Sequence, residues 1–321
     1  MTTSIELEAP FGFSLSAAAE FYAGFAPMGG AARKLEQSLQ LVLRLDGTFE
    51  AVSAKLKQQG PRLSVDLEGT RDVKRLTRQL SRMLGLGVDG RAWARLGEID
   101  PVLGAVKQHY PGFFTAGFPS PYEAGLGGVL SQRSSVRQAA ATRKALSLAH
   151  GAEVGGLRVV PSPEQMLKVK SFQGISAAKL ETLHGLARAA LTGVLDAERL
   201  NGLPREQALV ELQQLRGIGP WTASHMLLRG ASAQDALPLQ EPRVLRAFTH
   251  AYGRPESDFV ECAEAWRPFR MWASIVLVRN LARVGEWAAV PSDFVRRRRL
   301  ISGGDHRSHG DRLQPQSDHP R

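Results

Sequence analysis

Leu215-Arg-Gly-Ile-Gly-Pro-Trp221 is the stretch of this 321-residue sequence whose residue types and spacing point most directly to chemistry. Two glycines flanking one isoleucine permit a tight turn between helices, with a backbone able to approach another surface and Ile218 plugging the space between the helices. Pro220 suits the first turn of the second helix, because it lacks only an amide that would be unpaired there. The amides of such a turn and helix end face outward, a ready seat for a phosphate. On these residues alone, an ordinary helical hairpin is the alternative. Gly85-Leu-Gly-Val-Asp-Gly90 matches the dinucleotide fingerprint by letter. That motif needs a strand before it and a helix opening on its last glycine. Here an amphipathic helix precedes it, so Gly85 and Gly87 read as a helix stop and turn. The lone Cys262 excludes an intramolecular disulfide and any Cys-ligated zinc or iron–sulfur site. No side-chain metal site and no cofactor are expected.

The elements that must position this hairpin divide the chain by texture. Leu39 to Leu45 is followed by Asp46-Gly47, a two-residue hairpin signal, and then by Thr48 to Leu56 as a returning strand or the start of a helix. Arg62 to Leu67 adds a strand, and Val73, Leu76, Leu80, Met83 and Leu84 recur at helical spacing. Residues 1–112 thus read as a small α+β domain of antiparallel sheet and helix. From Phe113 to residue 295 the pattern is helical, broken by Gly and Pro. Helices are expected over Tyr122–Val129, Val136–His150, Pro163–Val169, Ala177–Thr192, Asp196–Leu200, Arg205–Leu215, Trp221–Arg229, Pro242–Tyr252 and Glu261–Val284, with no competing strand pattern. Residues 296–321 lack an apolar face and read as a disordered basic tail with seven Arg against three Asp. The whole chain carries +10, which favours a polyanion as partner but is common in proteins that never touch nucleic acid. With no basic-then-apolar leader and no uncharged run of 18 residues, the protein is expected to be soluble and cytoplasmic, associated with the nucleoid and without a membrane partner.

The hairpin resembles the helix-hairpin-helix of the base-excision DNA glycosylase superfamily, and within it the 3-methyladenine DNA glycosylase II (AlkA-like) family. Four further stretches match in order: Phe118-Pro-Ser-Pro-Tyr-Glu-Ala124, Gly128-Val-Leu-Ser-Gln-Arg-Ser-Ser-Val136, Asp235-Ala-Leu-Pro238 and Trp266-Arg-Pro-Phe-Arg-Met-Trp-Ala273. The N-terminal α+β segment is similar to the family's sheet domain, and the resemblance runs over roughly residues 5–290. It implies a monomer that excises damaged bases from double-stranded DNA. Lyase-competent relatives such as endonuclease III carry a lysine at the position of Trp221, so the resemblance implies a monofunctional enzyme that uses water as nucleophile.

The family's essential Asp matches Glu241, a departure. A carboxylate there would offset the positive charge that develops on the sugar as the base leaves. Three readings stand: a working glutamate, DNA binding with the chemistry lost, or another acid, with Asp235 first in line. Asp235 would otherwise cap the turn at Leu237-Pro238. The resemblance puts Trp221, His225 and Val278 at positions that line the pocket for a flipped base, with Val278 leaving it smaller-walled or more open. Trp272 reads as core. Gly217, Ile218, Gly219 and Thr222 of the hairpin, with Gln132 and Arg133 of the loop before Val136, fall at DNA-contact positions. Arg133 replaces the family's apolar wedge, and either stacks into the duplex or touches a phosphate. Relatives hold a monovalent cation through hairpin carbonyls, which would fall here at Leu215–Gly219. The Arg296–Arg299 run is either a solvated tail or added non-specific DNA affinity.

Overall fold

The computed structural model describes residues 3–28, 30–115 and 117–285. The basic tail, with its Arg296–Arg299 run, lies outside the described residues. Met1–Glu286 forms one compact unit.

Its N-terminal portion is built on a five-stranded antiparallel sheet. The strands are β1 (Thr3–Glu8), β2 (Ala32–Leu35), β3 (Ser38–Arg44), β4 (Ala51–Gln59) and β5 (Arg62–Glu68), in the order β1-β5-β4-β3-β2. Helix α1 (Leu15–Gly24) lies between β1 and β2, and α2 (Val73–Leu84), α3 (Gly90–Ile99) and α4 (Pro101–Lys107) follow β5. The β3–β4 connection departs from a two-residue turn. Leu45 N donates to Glu50 O, and Phe49 N closes back on Leu45 O. Asp46, Gly47, Thr48 and Phe49 therefore form a four-residue loop, with Gly47 at φ 76° and Phe49 at φ 57°. The returning element is a strand and runs past Leu56 to Gln59. Gly85 caps α2 in the left-handed conformation, and the indole of Trp272 would lie 2.7 Å from a Cβ there, which is why a glycine stops this helix.

The remainder is helical: α5 (Pro121–Ser131), α6 (Val136–His150), α7 (Pro163–Leu167), α8 (Ala177–Leu191), α9 (Ala197–Gly202), α10 (Arg205–Gln213), α11 (Pro220–His225), α12 (Pro242–Tyr252), α13 (Phe259–Ala263) and α14 (Arg270–Arg283). Three details correct the sequence reading. A short hairpin, β6 (Ala152–Val154) with β7 (Leu157–Val159), sits between α6 and α7. The helix expected from Trp221 to Arg229 is α-helical only to His225 and continues as a π turn over Met226–Gly230. The single helix expected over Glu261–Val284 is two, because Pro268 has no amide to continue the first and its ring clashes with the preceding turn.

Buried polar groups join the sheet to the helices. β3 alternates Leu39, Leu41 and Leu43 with Gln40, Val42 and Arg44, and all of these are buried. Gln40 Nε2 donates to Gly155 O of the β6–β7 hairpin at 2.7 Å. Arg44 donates to Val160 O (2.8 Å) and Gln165 Oε1 (2.6 Å), while its backbone N–H donates to Glu123 Oε1 on α5 (3.1 Å). The other Glu123 oxygen accepts from Arg143 Nη2 of α6 at 2.6 Å, so a fully buried carboxylate is neutralised and each of its oxygens has a donor. Trp272 is core, packed edge-on against Trp93 and Phe114. Among the described residues no helix is long and apolar enough to cross a membrane.

Candidate active site

The hairpin forms between α10 and α11. Gly217 adopts φ 81°, and a Cβ on it would lie 2.2 Å from Thr182 Oγ1 of α8, so both conformation and space demand glycine. Gly219 is different. Its φ is −88°, open to any residue, and nothing lies within 4 Å of where its Cβ would be. Ile218 is buried at 4% exposure and its amide closes on Leu215 O at 3.0 Å. Thr222 is buried too, its methyl 3.0 Å from where a Cβ on Gly128 of α5 would sit. The side chains of Ile218 and Thr222 therefore hold the hairpin together, leaving the exposed backbone at Gly217 and Gly219 as the part that can touch a ligand. Carbonyls expected to face a cation already accept protein donors: Leu215 O from Ile218 N, Gly219 O from Ala223 N, and Gly217 O from Gln132 Nε2 at 3.0 Å. Each keeps a second lone pair. Among the described residues no group of three or more His, Cys, Asp or Glu could hold a metal ion.

The Gln132 bond ties the loop after α5 to the hairpin. Next along that loop, Arg133 is exposed and held at φ 51°, a conformation uncommon outside glycine.

One turn into α11, the rings of Trp221 and His225 stack, with centroids 4.9 Å apart and planes 8° from parallel. This is the i, i+4 geometry of a helix face. The buried Phe118 ring meets His225 edge-to-face at a centroid distance of 5.2 Å and Phe25, the C-cap of α1, at 5.3 Å. Gly128 of α5 packs beside the pair: a Cβ there would lie in ordinary contact with Trp221 at 3.7 Å and His225 at 3.9 Å. Burial pushes the His225 imidazole down to about 3, and the neighbouring Arg229 and Arg243 cations add to this against the opposing pull of Glu241. The ring is neutral at pH 7, an apolar plate rather than a cation.

Glu241 caps the N-terminus of α12, with Pro242 in the first turn. Its Oε2 accepts from Trp221 Nε1 at 3.2 Å and from Arg243 Nη2 at 2.7 Å. Its Oε1 accepts from Arg243 Nε at 2.7 Å and Arg243 N at 3.2 Å. Burial alone would raise the carboxyl, but the Arg243 fork and charge, the backbone N–H and the indole outweigh it and hold the group below the ordinary carboxylate range. An ionised carboxylate thus lies within hydrogen-bonding reach of a half-buried indole, suited to offsetting a cation that forms beside the ring.

Asp235, the other acid, is committed elsewhere. Asp235 is engaged by Arg267 Nη1 (2.6 Å) and Arg270 Nε (2.7 Å), and those arginines also pair with Glu264. This cluster braces the start of α14 and uses both oxygens of Asp235. Val278 is half-buried on α14, beside Arg279, whose guanidinium lies 4.2 Å from the Phe113 ring centroid. Sequence reading missed Arg243 and Phe118 as part of the site. The Glu-Pro-Arg spacing at 241–243 was the available signal, since two residues at a helix N-terminus allow a side-chain fork to turn back onto the capping carboxylate.

No family model matches the chain. It is 28% identical over 182 residues to DNA-3-methyladenine glycosylase 2 of Escherichia coli, covering 54% of this chain and 63% of that protein. It is 26% identical over 198 residues to the DNA-3-methyladenine glycosylase of Bacillus subtilis, covering 58% and 65%. The chain therefore spans under two thirds of the length of these relatives. Its fold is similar to that of the 3-methyladenine DNA-glycosylase from Archaeoglobus fulgidus, with a TM-score of 0.69 at 20% identity, over 87% of this chain and 98% of that one. In sequence the chain is thus similar to 3-methyladenine DNA glycosylases, and in fold to a helix-hairpin-helix member of that group. Its sheet, hairpin and helices follow the α+β plan that the resemblance implies, and Trp221, His225 and Glu241 come together as one site.

Proposed function

We propose that this chain is a monofunctional DNA glycosylase of base excision repair, acting as a monomer on double-stranded DNA in the cytoplasm, at the nucleoid. In this reading residues 1–112 act as the sheet domain and 113–295 as the glycosylase domain. The exposed backbone at Gly217 and Gly219 grips a phosphate, Gln132 and Arg133 enter the duplex from the minor groove, and an alkylated or otherwise damaged purine is flipped onto Trp221. The N-glycosidic bond breaks with its electron pair leaving on the base. The Glu241 carboxylate offsets the resulting sugar cation, and water adds at the sugar carbon, its proton passing to solvent or to the departed base. Trp221 has no amine with which to form a Schiff base, so no strand cleavage follows. The observation that carries this reading is the ionised Glu241 carboxylate held 3.2 Å from Trp221 Nε1.

The test is release of free base from methylated duplex by wild type, Glu241→Gln and Glu241→Asp. Wild type is expected to release 3-methyladenine or 7-methylguanine, and Glu241→Gln to lose about 100-fold or more in single-turnover rate. No release by wild type across these bases, hypoxanthine and ethenoadenine would sink the enzyme reading.

The second reading is a protein that binds damaged or distorted DNA without excising a base. It is favoured by the occupancy of Glu241, whose two oxygens already take four donors. Tight binding of an abasic-site duplex without base release would select it.

A further inference from the structure

Glutamate reaches one methylene further than aspartate and has one more rotatable bond, so a catalytic carboxylate at position 241 needs something to fix it. Arg243 meets that need. Its guanidinium spans both carboxylate oxygens at 2.7 Å each, and its own backbone N–H adds a third contact at 3.2 Å. The indole of Trp221 supplies the fourth donor, to Oε2. Four donors for about four lone-pair sites leave the carboxylate one orientation.

We propose that Arg243 is a positioning residue for base excision, clamping the Glu241 carboxylate against Trp221 as a fixed counter-charge. This rests on the reading of Glu241 as the catalytic carboxylate. Among the described residues, His225 of α11, Arg229 of the π turn and Arg243 itself interact electrostatically with Glu241. The helices packed along α12 carry further charges with other partners. Arg270 holds Asp235 and Glu264, Arg279 lies on Phe113 and Tyr110, Arg283 bonds Asn280, and Lys107 of α4 lies over Trp93. Beyond the last turn of α12, Asp258 faces Arg254. His225 is neutral in the relevant range, so Arg243 is the group whose removal should let Glu241 take up a proton more readily. A clamp that merely capped a helix would move stability and leave the protonation of the site unchanged.

The full chain is prepared as wild type, Arg243→Ala and Arg243→Lys. The Trp221 indole N–H, assigned by its loss in Trp221→Phe, reports protonation of Glu241 in proton–nitrogen correlation spectra recorded without DNA. The expected result is an acid midpoint that moves up in Arg243→Ala and stays nearer wild type in Arg243→Lys, which keeps the charge. In single-turnover excision from a 7-methylguanine duplex, the acid limb of Arg243→Ala moves up with that midpoint. Both variants lose about 10- to 100-fold in rate, because a lysine cannot make the fork.

An Arg243→Ala variant with wild-type midpoint and rate overturns the proposal. So does one whose loss lies wholly in affinity for an abasic-site duplex, which would make Arg243 a DNA contact. If Arg243→Ala does not fold, a wild-type rate in Arg243→Lys overturns the fork. Should wild type excise no base, the functional reading fails, while a midpoint that moves in the spectra still establishes the clamp on Glu241.

Discussion

Replacing the two hairpin glycines one at a time separates folding from binding, because the structure gives them different reasons to be glycine. At Gly217 an alanine would need φ 81° and would place its Cβ 2.2 Å from Thr182 Oγ1. The left-handed conformation costs about 1–2 kcal/mol. Moving the Thr182 hydroxyl, which donates to Ala178 O at 3.1 Å, costs about 1 kcal/mol more. Gly217→Ala should therefore destabilise the chain by about 2–3 kcal/mol in urea unfolding. At Gly219 the φ of −88° suits a side chain and nothing stands within 4 Å, so Gly219→Val should leave stability within about 0.5 kcal/mol of wild type. The space beside Gly219 is free for a partner. If that partner is a DNA phosphate against the hairpin backbone, Gly219→Val should weaken binding of an abasic-site duplex by about tenfold or more, about 1.4 kcal/mol, and flatten the salt dependence by about one phosphate. Fluorescence anisotropy across a salt series reads both. A Gly219→Val protein that binds as tightly as wild type would refute the assignment of this backbone to DNA, and a stable Gly217→Ala would refute the packing argument.

Three more outcomes follow from the geometry. His225 is held neutral in the fold with its pKa near 3, below its unfolded value of about 6.5, so its contribution to stability is present above about pH 6.5 and is lost as pH falls towards 3. Urea unfolding at pH 7 and pH 5 should show a smaller pH penalty for His225→Phe than for wild type, and equal penalties would refute this. Arg133→Gly removes a side chain from φ 51°, so it should hold or raise stability by up to about 1 kcal/mol while lowering affinity for damaged duplex, and unchanged affinity would remove Arg133 from the interface. Arg143→Met leaves the buried Glu123 carboxylate without its cation and should cost about 3–5 kcal/mol in urea unfolding; a loss under about 1 kcal/mol would show that the Arg44 amide alone satisfies Glu123.

What could be read along the chain is what local periodicity and turn chemistry carry. Val136–His150 and Pro242–Tyr252 were legible to the residue, because each begins on a Ser135 or Glu241 cap and ends at a glycine. The hairpin glycines and Trp221 were legible from their spacing, and Glu241 from its match to the family pattern. Interruptions that depend on long-range packing were less so. The π turn at Met226–Gly230 follows no local signal, and the four-residue Asp46–Phe49 loop overrode a two-residue turn sequence because Gln79 Oε1 and Arg75 Nη1 reach in from α2 to bond the Asp46 backbone. The types of the site residues, an indole, an imidazole and a carboxylate, were set by sequence alone. Only the tertiary structure decided their states. Burial beside Arg229 and Arg243 makes His225 an uncharged plate stacked on Trp221, Arg267 and Arg270 commit Asp235 to bracing α14, and the Arg243 fork keeps Glu241 ionised. Protonation and orientation are set by neighbours in space, and those neighbours come from segments that the order of residues does not bring together until the chain has folded.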